Sequence, residues 1–194
     1  DLVRRPHLPA DQLEEARQVC FQELRAIEDD LAHRVLEAVR QLQYPAPWGR
    51  SVQGDYESIQ AITHDDVKVC FERFYGPEET IISVAGKLEW NALLDLIETE
   101  FGDWQPQASH VIAETPTQGN VQHIPYESAQ THLAIAYPST PYAHPDYYLA
   151  RAATGILSDG MSSRLFTEVR EKEGLCYTIH ASLNTLREHA SVLC

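Results

Sequence analysis

Basic residues are scarce in this sequence of 194 residues, where 15 Lys and Arg stand against 29 Asp and Glu, for a formal net charge of −14. Proteins that bind nucleic-acid phosphates carry a stripe of basic residues that displaces condensed counterions. We therefore expect no nucleic-acid partner. The acidity is concentrated in residues 1–104, with 21 acidic and 10 basic side chains. We interpret these acidic side chains as a solvated surface. The alternative interpretation is that they attract basic peptides over a long range.

Long apolar runs are also missing. None approaches the roughly 20 residues that a membrane-spanning helix needs, and the first residues, DLVRRPHLPADQ, lack a signal-peptide pattern. We expect no membrane partner. The four cysteines, Cys20, Cys70, Cys176 and Cys194, have no CxxC spacing and lie in apolar-periodic segments. They are predicted to be reduced core residues, which favours a cytoplasmic location.

Complete catalytic motifs are absent. The sequence has no HxxEH or HExxH, no GxSxG and no GxxxxGK, and its nine histidines show no paired ligand spacing. It therefore offers no metal site formed by this chain alone. The sequence does not begin with Met and stops in an apolar, strand-like run, HASVLC. We expect a fragment of a longer protein.

What the sequence does contain is helical periodicity. Apolar residues recur every three or four positions over residues 11–42, which predicts a long amphipathic helix. Thr63 and Asp66 form a capping-box pattern at the start of a second helix. Further helices are predicted over residues 89–101, in HPDYYLARAATGILS, and in SSRLFTEVREK with Ser162 as its cap.

Strand patterns alternate with these helices. TIISVAG, NVQHIPY, THLAIAYP, GLCYTIHASLNT and ASVLC are rich in β-branched and aromatic residues, and the last two are joined by the turn LREH. This order predicts an α+β fold, an antiparallel sheet with helices on one face. Residues 105–120 lose periodicity and gather Pro, Gln and Thr, so we interpret them as a linker between residues 1–104 and 121–194.

Glu23 is the first candidate for a chemical role. It lies at the edge of the apolar stripe of the first helix, where a carboxylate can reach a zinc ion as a third ligand. A boundary Glu with a packed stem and a hydrated carboxylate explains the periodicity better. From spacing alone the structural interpretation is favoured.

Arg170 and Tyr177 are the second candidate. They are seven residues apart in REKEGLCY, at a helix end followed by Gly174. An Arg there complements the helix dipole, and Tyr177 shares strand parity with packed apolar residues. The functional alternative is that a tight turn brings the two side chains together as donors that hold a peptide carbonyl and stabilise a developing oxyanion.

The sequence GMSSRLFTEVREKEGLCYTIHASLNTL resembles the signature of the pitrilysin, or insulinase-type, zinc metallopeptidases. The stretch YPAPWGRSVQGDYESIQAITHDDVKVCFERFYGPEETIISVAGKL is similar to another part of the same family, so essentially the whole chain fits the middle of such a protein. The resemblance implies the metallopeptidase α/β roll: the latter part of a first roll domain, a linker, and the first part of a second domain.

The resemblance also implies roles. The family holds zinc with an HxxEH helix, whose place would be upstream of residue 1, and with a downstream Glu that Glu23 matches. Active members usually carry an acid seven residues before that Glu, where this chain has Ala16. Such proteins often pair a zinc-bearing subunit with a zinc-free one that supplies Arg and Tyr. Arg170 and Tyr177 with Ala16 favour the second kind.

Three functions follow from the resemblance. The favoured one is a catalytic and substrate-binding contribution of Arg170 and Tyr177 to a chamber that cleaves peptides or unfolded polypeptide, in a homo- or heterodimer with a zinc-bearing subunit. Zinc would then be held by the parent or its partner and not by this fragment. The alternatives are a purely structural, inactive peptidase-like subunit and part of an active zinc protease whose HxxEH lies upstream.

Overall fold

The computed structural model describes residues 2–78, 80–106, 112–117 and 120–194. They form helices and an antiparallel sheet, which confirms the predicted α+β class. After a 3-10 turn at Ala10–Gln12, the helices are α1 (Leu13–Asp29), α2 (Leu31–Gln43), α3 (Tyr56–Ala61), α4 (His64–Phe74), α5 (Trp90–Phe101) and α6 (Tyr147–Ser158), followed by a π-helix at Phe166–Lys172. The strands are β1 (Ala136–Pro138), β2 (Ser182–Thr185) and β3 (Ala190–Leu193).

The long helix predicted over residues 11–42 is two helices, and the break lies at Asp30. This residue has an extended backbone, with φ −93° and ψ 93°, and its carboxylate accepts a hydrogen bond from the His33 amide at 3.0 Å. Asp competes for backbone N–H groups and therefore starts a new helix more readily than it continues an old one. The prediction of one continuous helix is wrong because the apolar spacing stays in register across this cap.

One compact unit contains residues 1–22 and 55–112. Within it, Thr63 and Asp66 exchange the hydrogen bonds of a capping box at the start of α4, as predicted. Arg17 donates to the carbonyls of Ile59 at 3.2 Å and Ile62 at 2.7 Å, which satisfies the carbonyl groups left open at the end of α3. The end of α3 and the start of α4 are thus fixed by polar contacts.

The second compact unit contains residues 23–54 and 113–194 and holds the sheet. The strand order is β1–β3–β2, with both pairs antiparallel, so β3 is central. Helix α2 packs against β1 and α6 against β2. The predicted turn LREH closes the hairpin, where the Leu186 amide donates to the His189 carbonyl at 2.8 Å. The predicted pair of C-terminal strands is confirmed, although β2 is shorter than its sequence pattern.

Two predicted strands do not form. Residues 80–86 and 120–126 have no strand assignment, and THLAIAYP contributes only its last residues to β1. A strand exists only where a neighbouring chain accepts its ladder of hydrogen bonds. The apolar, β-branched pattern of these segments is therefore not sufficient. The domain boundary predicted within residues 105–120 stays a prediction, and residues 107–111 and 118–119 lie outside the described residues.

The cysteines are less buried than the sequence predicts. All four are free, but Cys20 and Cys70 are exposed and Cys176 and Cys194 are half-buried. The core assignment is wrong for Cys20 and Cys70, because the apolar stripes of α1 and α4 are covered only in places. Burial raises the pKa of the Cys194 thiol, which keeps it protonated. Among the described residues, no helix is both long enough and apolar enough to cross a bilayer.

Candidate functional site

The Arg170 side chain is carried by the π-helix. The first hydrogen bond of the helical segment runs from the Thr167 amide to the carbonyl of buried Ser163, at 3.0 Å. The residue at the start of the helix is therefore Ser163 and not Ser162, which was predicted as the cap. The helix ends with a wide turn, closed by the Glu173 amide and the Glu168 carbonyl at 3.2 Å. Such wide turns are uncommon and are frequent at functional sites.

Gly174 then reverses the chain. Its φ of 61° lies in the left-handed region that favours glycine, and the space where a Cβ would stand is open. The Leu175 amide donates back to the Val169 carbonyl at 3.1 Å, which closes the helix end. This backbone path brings Tyr177 back towards the last turn of the helix.

Arg170 and Tyr177 do meet, as the functional interpretation of their spacing required. The guanidinium carbon of Arg170 lies over the Tyr177 ring, 5.6 Å from its centroid, and over the Phe166 ring at 4.5 Å. Both distances are within the range of a cation–π interaction. We call Phe166, Arg170 and Tyr177 the Phe–Arg–Tyr cluster.

The cluster is accessible to a large ligand. The Tyr177 residue is 87% exposed, and about a third of the Arg170 side chain, 35%, remains exposed. The Arg170 Nε lies 3.9 Å from the nearer Glu171 oxygen, at the outer limit of an ion pair. A solvent-exposed pair of this kind contributes little. N–H groups of the Arg170 guanidinium are therefore available to donate to an acceptor on a bound ligand.

The chemistry of the cluster is that of two hydrogen-bond donors of different kinds. A guanidinium presents five N–H groups and stays charged, while a phenol presents one neutral O–H. A carbonyl oxygen can accept from both. Such donors stabilise an oxygen more strongly as it becomes negatively charged, which is the requirement for an oxyanion site.

Glu23 lies on the exposed surface of α1. In the part of the chain that the structure describes, no group of three or more His, Cys, Asp or Glu side chains is arranged to hold a metal ion. The described residues therefore do not fit a zinc site, and Glu23 could act as a ligand only with partners from elsewhere. Its role as a third zinc ligand stays a prediction.

One cavity of the second unit does not include the Phe–Arg–Tyr cluster. It is a groove of about 780 Å³ between α2 and residues 120–138, lined by Arg34, Val39, Tyr126 and Leu133 among others. Neither Arg170 nor Tyr177 lines it. The donors thus lie on an open surface, which suits an extended polypeptide better than a small molecule.

A second polar cluster joins three distant parts of the same unit. The Glu114 carboxylate accepts a hydrogen bond from the Trp48 indole at 2.6 Å and pairs with His189 Nε2 at 2.8 Å. The His189 contact, and then the Trp48 contact, hold the pKa of the Glu114 carboxyl below its usual value. The adjacent bridge between Ala46 and Thr115 anchors the same segment, so this cluster has a structural role.

Phe166 and the Trp48–Glu114–His189 cluster were not identified from sequence. Phe166 precedes Arg170 by four residues in the helical segment, a spacing at which side chains of neighbouring turns meet. That spacing is the signal that could have revealed it. Glu114 and His189 are 75 residues apart, and no local pattern links them.

Comparison with known proteins identifies the family of this chain. The family model described as the peptidase M16 inactive domain matches residues 61–193. An uncharacterized zinc protease of Mycobacterium tuberculosis is 27% identical over 202 residues, covering 99% of this chain and 45% of its own length. A probable mitochondrial-processing peptidase subunit beta of Schizosaccharomyces pombe is 26% identical, covering 89% of this chain and 42% of its own length. The chain thus spans less than half the length of these relatives.

Solved structures share the fold. A peptidase M16 inactive domain from Pseudomonas fluorescens superimposes with a TM-score of 0.88 at 22% identity, covering 99% of this chain and 48% of that one. A protease from Helicobacter pylori gives 0.83 at 22% identity, with 98% and 48% covered. A chain of complex III2 from Candida albicans gives 0.73 at 15% identity, with 94% and 47% covered.

Proposed function

Because this chain belongs to the M16, or pitrilysin-type, peptidase family and matches its inactive domain, we propose that it contributes peptide binding and oxyanion stabilisation to a zinc-dependent metalloendopeptidase. The single observation that carries the proposal is the contact of the Arg170 guanidinium with the Tyr177 ring at 5.6 Å on an exposed surface. Zinc belongs to the rest of the parent protein or to a partner subunit. This fragment is not catalytically competent alone.

The role of each residue follows from its chemistry. Arg170 donates from its fork to a carbonyl oxygen of an extended peptide, and its charge strengthens that hydrogen bond. The Tyr177 hydroxyl donates to the same oxygen or to the next one along the peptide. Both donors gain strength as the oxygen becomes anionic, so they favour the transition state over the bound substrate.

The substrate class is a peptide or an unfolded segment. An open surface with backbone-directed donors recognises main-chain carbonyls, which every extended polypeptide presents. The net charge of −14 favours basic polypeptides over acidic ones in the encounter. A reducing, cytoplasmic location agrees with four free cysteines.

The decisive test uses the full-length protein with a zinc-bearing partner subunit and a fluorogenic peptide. Replacing Arg170→Ala is expected to raise KM and lower kcat, and Tyr177→Phe to lower kcat chiefly. Unchanged cleavage in both variants would overturn the proposal. The 194-residue chain alone is expected to give no turnover, with or without added zinc, and chelator-sensitive turnover by it would contradict the proposal.

A second candidate is a purely structural, peptidase-like subunit. It is favoured by the likeness in fold to a chain of complex III2. In that case the Phe–Arg–Tyr cluster only packs, and the two substitutions change stability without changing peptide binding. The binding measurement therefore separates the candidates.

A third candidate is an active zinc protease that carries both motifs in one chain. It is favoured by relatives that are named zinc proteases and extend well beyond the matched region. The coding sequence upstream of residue 1 decides this point, because an intact HxxEH there would place zinc and the Phe–Arg–Tyr cluster in one polypeptide.

A further inference from the structure

We infer that Phe166 is the positioning residue of the proposed peptide-binding site, because its ring orients the Arg170 guanidinium towards a peptide carbonyl. The inference rests on the proposed function and adds a residue to it. The Phe166 centroid lies 4.5 Å from the guanidinium carbon, which is closer than the Tyr177 centroid at 5.6 Å. Of these two aromatic contacts, Phe166 makes the closer one.

Phe166 is also the better-anchored of the two rings. It stands at the start of the π-helix and is half-buried. Tyr177 lies on a segment between that helix and β2 without strand pairing of its own, and it is 87% exposed. A ring fixed by hydrogen-bonded backbone restricts its neighbour more than a ring on an irregular segment does. Phe166 therefore holds Arg170, and Tyr177 remains free to engage the ligand.

The need for such an anchor follows from the nature of arginine. A free Arg side chain samples many rotamers and loses that freedom when it binds a ligand. Attraction to a ring restricts these rotamers beforehand without requiring an oxygen acceptor, so N–H groups remain available for a carbonyl. Preorganisation of this kind improves affinity without a new contact to the ligand.

Glu171 makes the anchor more important. Its carboxylate lies 3.9 Å from Arg170 Nε and is itself exposed. Without the Phe166 ring, the guanidinium could close on this carboxylate, which would occupy donors and cancel its charge. Loss of the ring is thus expected to weaken ligand binding through Arg170.

The experiment measures the Kd of the full-length protein for fluorescein-labelled, reduced and alkylated lysozyme, a basic unfolded polypeptide, by fluorescence anisotropy. Phe166→Leu is expected to raise Kd about two- to fivefold, the size of an exposed cation–π contact. Phe166→Tyr keeps the ring and is expected to restore the original Kd. Phe74→Leu is the matched control, because it removes a ring 5.2 Å from Arg73 in the other unit and should leave Kd unchanged.

A double-mutant cycle separates positioning from general packing. In an Arg170→Ala background, Phe166→Leu is expected to have no further effect, because the group that it positions is gone. An equal loss in both backgrounds would overturn the inference and indicate packing. If Arg170→Ala raises Kd while Phe166→Leu does not, the inference is wrong and the proposed function stands. If Arg170→Ala leaves Kd unchanged, both are wrong.

Discussion

The Tyr44 hydroxyl lies 2.6 Å from the hydroxyl of Ser191, and both residues are buried, with 3% and 0% exposure. The same Tyr44 hydroxyl donates to the Asn184 carbonyl at 2.9 Å, and a phenol has one proton to give. Ser191 is therefore the donor to Tyr44. This relationship joins the end of α2 to the central strand β3 and its neighbour β2, so it fixes the hairpin that follows the candidate site in the chain.

Replacing Tyr44→Phe is expected to lower the free energy of unfolding by about 1–3 kcal/mol, because the Ser191 hydroxyl and the Asn184 carbonyl lose a buried partner. Chemical denaturation of the two proteins measures the difference. Tyr148→Phe is the control, since Tyr148 is 74% exposed, and its effect should stay within about 0.5 kcal/mol. Equal stability of the Tyr44→Phe variant would contradict a role for this hydrogen bond.

Glu114 is expected to make the fold sensitive to acid. Its pKa is lowered from an ordinary value of 4.5 by the contacts with His189 and Trp48. A lowered pKa in the folded state means that the ionised carboxylate stabilises the fold above that ordinary value, and that the stabilisation is lost as the pH falls through the folded pKa. The protection of the Trp48 indole N–H against hydrogen exchange should therefore fall as the pH is lowered below about 4.5, the ordinary pKa of the carboxyl.

NMR of the indole proton measures this protection. Glu114→Gln should remove the pH dependence, whereas Glu127→Gln, a change at an exposed carboxylate, should keep it. A wild-type protein whose Trp48 proton keeps the same protection as the pH is lowered below 4.5 would show that the carboxylate does not hold the indole.

Gly174 is expected to control the position of Tyr177. A side chain at φ 61° costs about 1 kcal/mol even where space is open. In Gly174→Ala the strain can be relieved by shifting the turn, which moves Tyr177 away from Arg170. The variant should bind unfolded polypeptide more weakly as well as lose stability.

Gly160→Ala is the matched control, because Gly160 has φ 81° and open space too but does not lie between Arg170 and Tyr177. It should lose similar stability and keep its affinity. Equal affinities of the two variants would show that the turn does not align the pair.

Arg170→Lys is expected to behave like a loss of function despite the conserved charge. Lysine lacks the planar fork that donates to a carbonyl and stacks on rings. We expect kcat/KM of the full-length protein to decrease by about tenfold or more, because the loss of an oxyanion donor weakens transition-state stabilisation. Full activity in Arg170→Lys would indicate that only charge matters at this position.

Part of the fold could be predicted from sequence because its signals are local. The Thr63–Asp66 box and the helix at Trp90–Phe101 are determined by neighbours three or four residues away. Asp30 was missed because the apolar positions on either side continue with the same spacing. Residues 80–86 have a strand-like pattern, but pairing depends on a partner segment that their own sequence does not specify.

In the candidate site, too, local sequence signals predict some contacts and do not predict others. Arg170 and Tyr177 were identified by their seven-residue spacing and by a family resemblance, and the structure brings them together. Phe166 lies in the same motif, but its sequence position does not predict a role in the site, because an aromatic residue on a helix usually packs in the core. The contact of Glu114 with His189 depends on the hairpin turn between β2 and β3, and no sequence pattern near either residue specifies it.

The π-helix makes the site sensitive to chain length as well as to chemistry. A helix of the ordinary kind rotates by about 100° per residue, so deleting one residue from Phe166–Lys172 could restore regular turns and carry Arg170 around the axis, away from Tyr177. Every side chain of the site would still be present. A relative that conserves Phe, Arg and Tyr but has a one-residue gap in this segment should therefore be regarded as lacking the site.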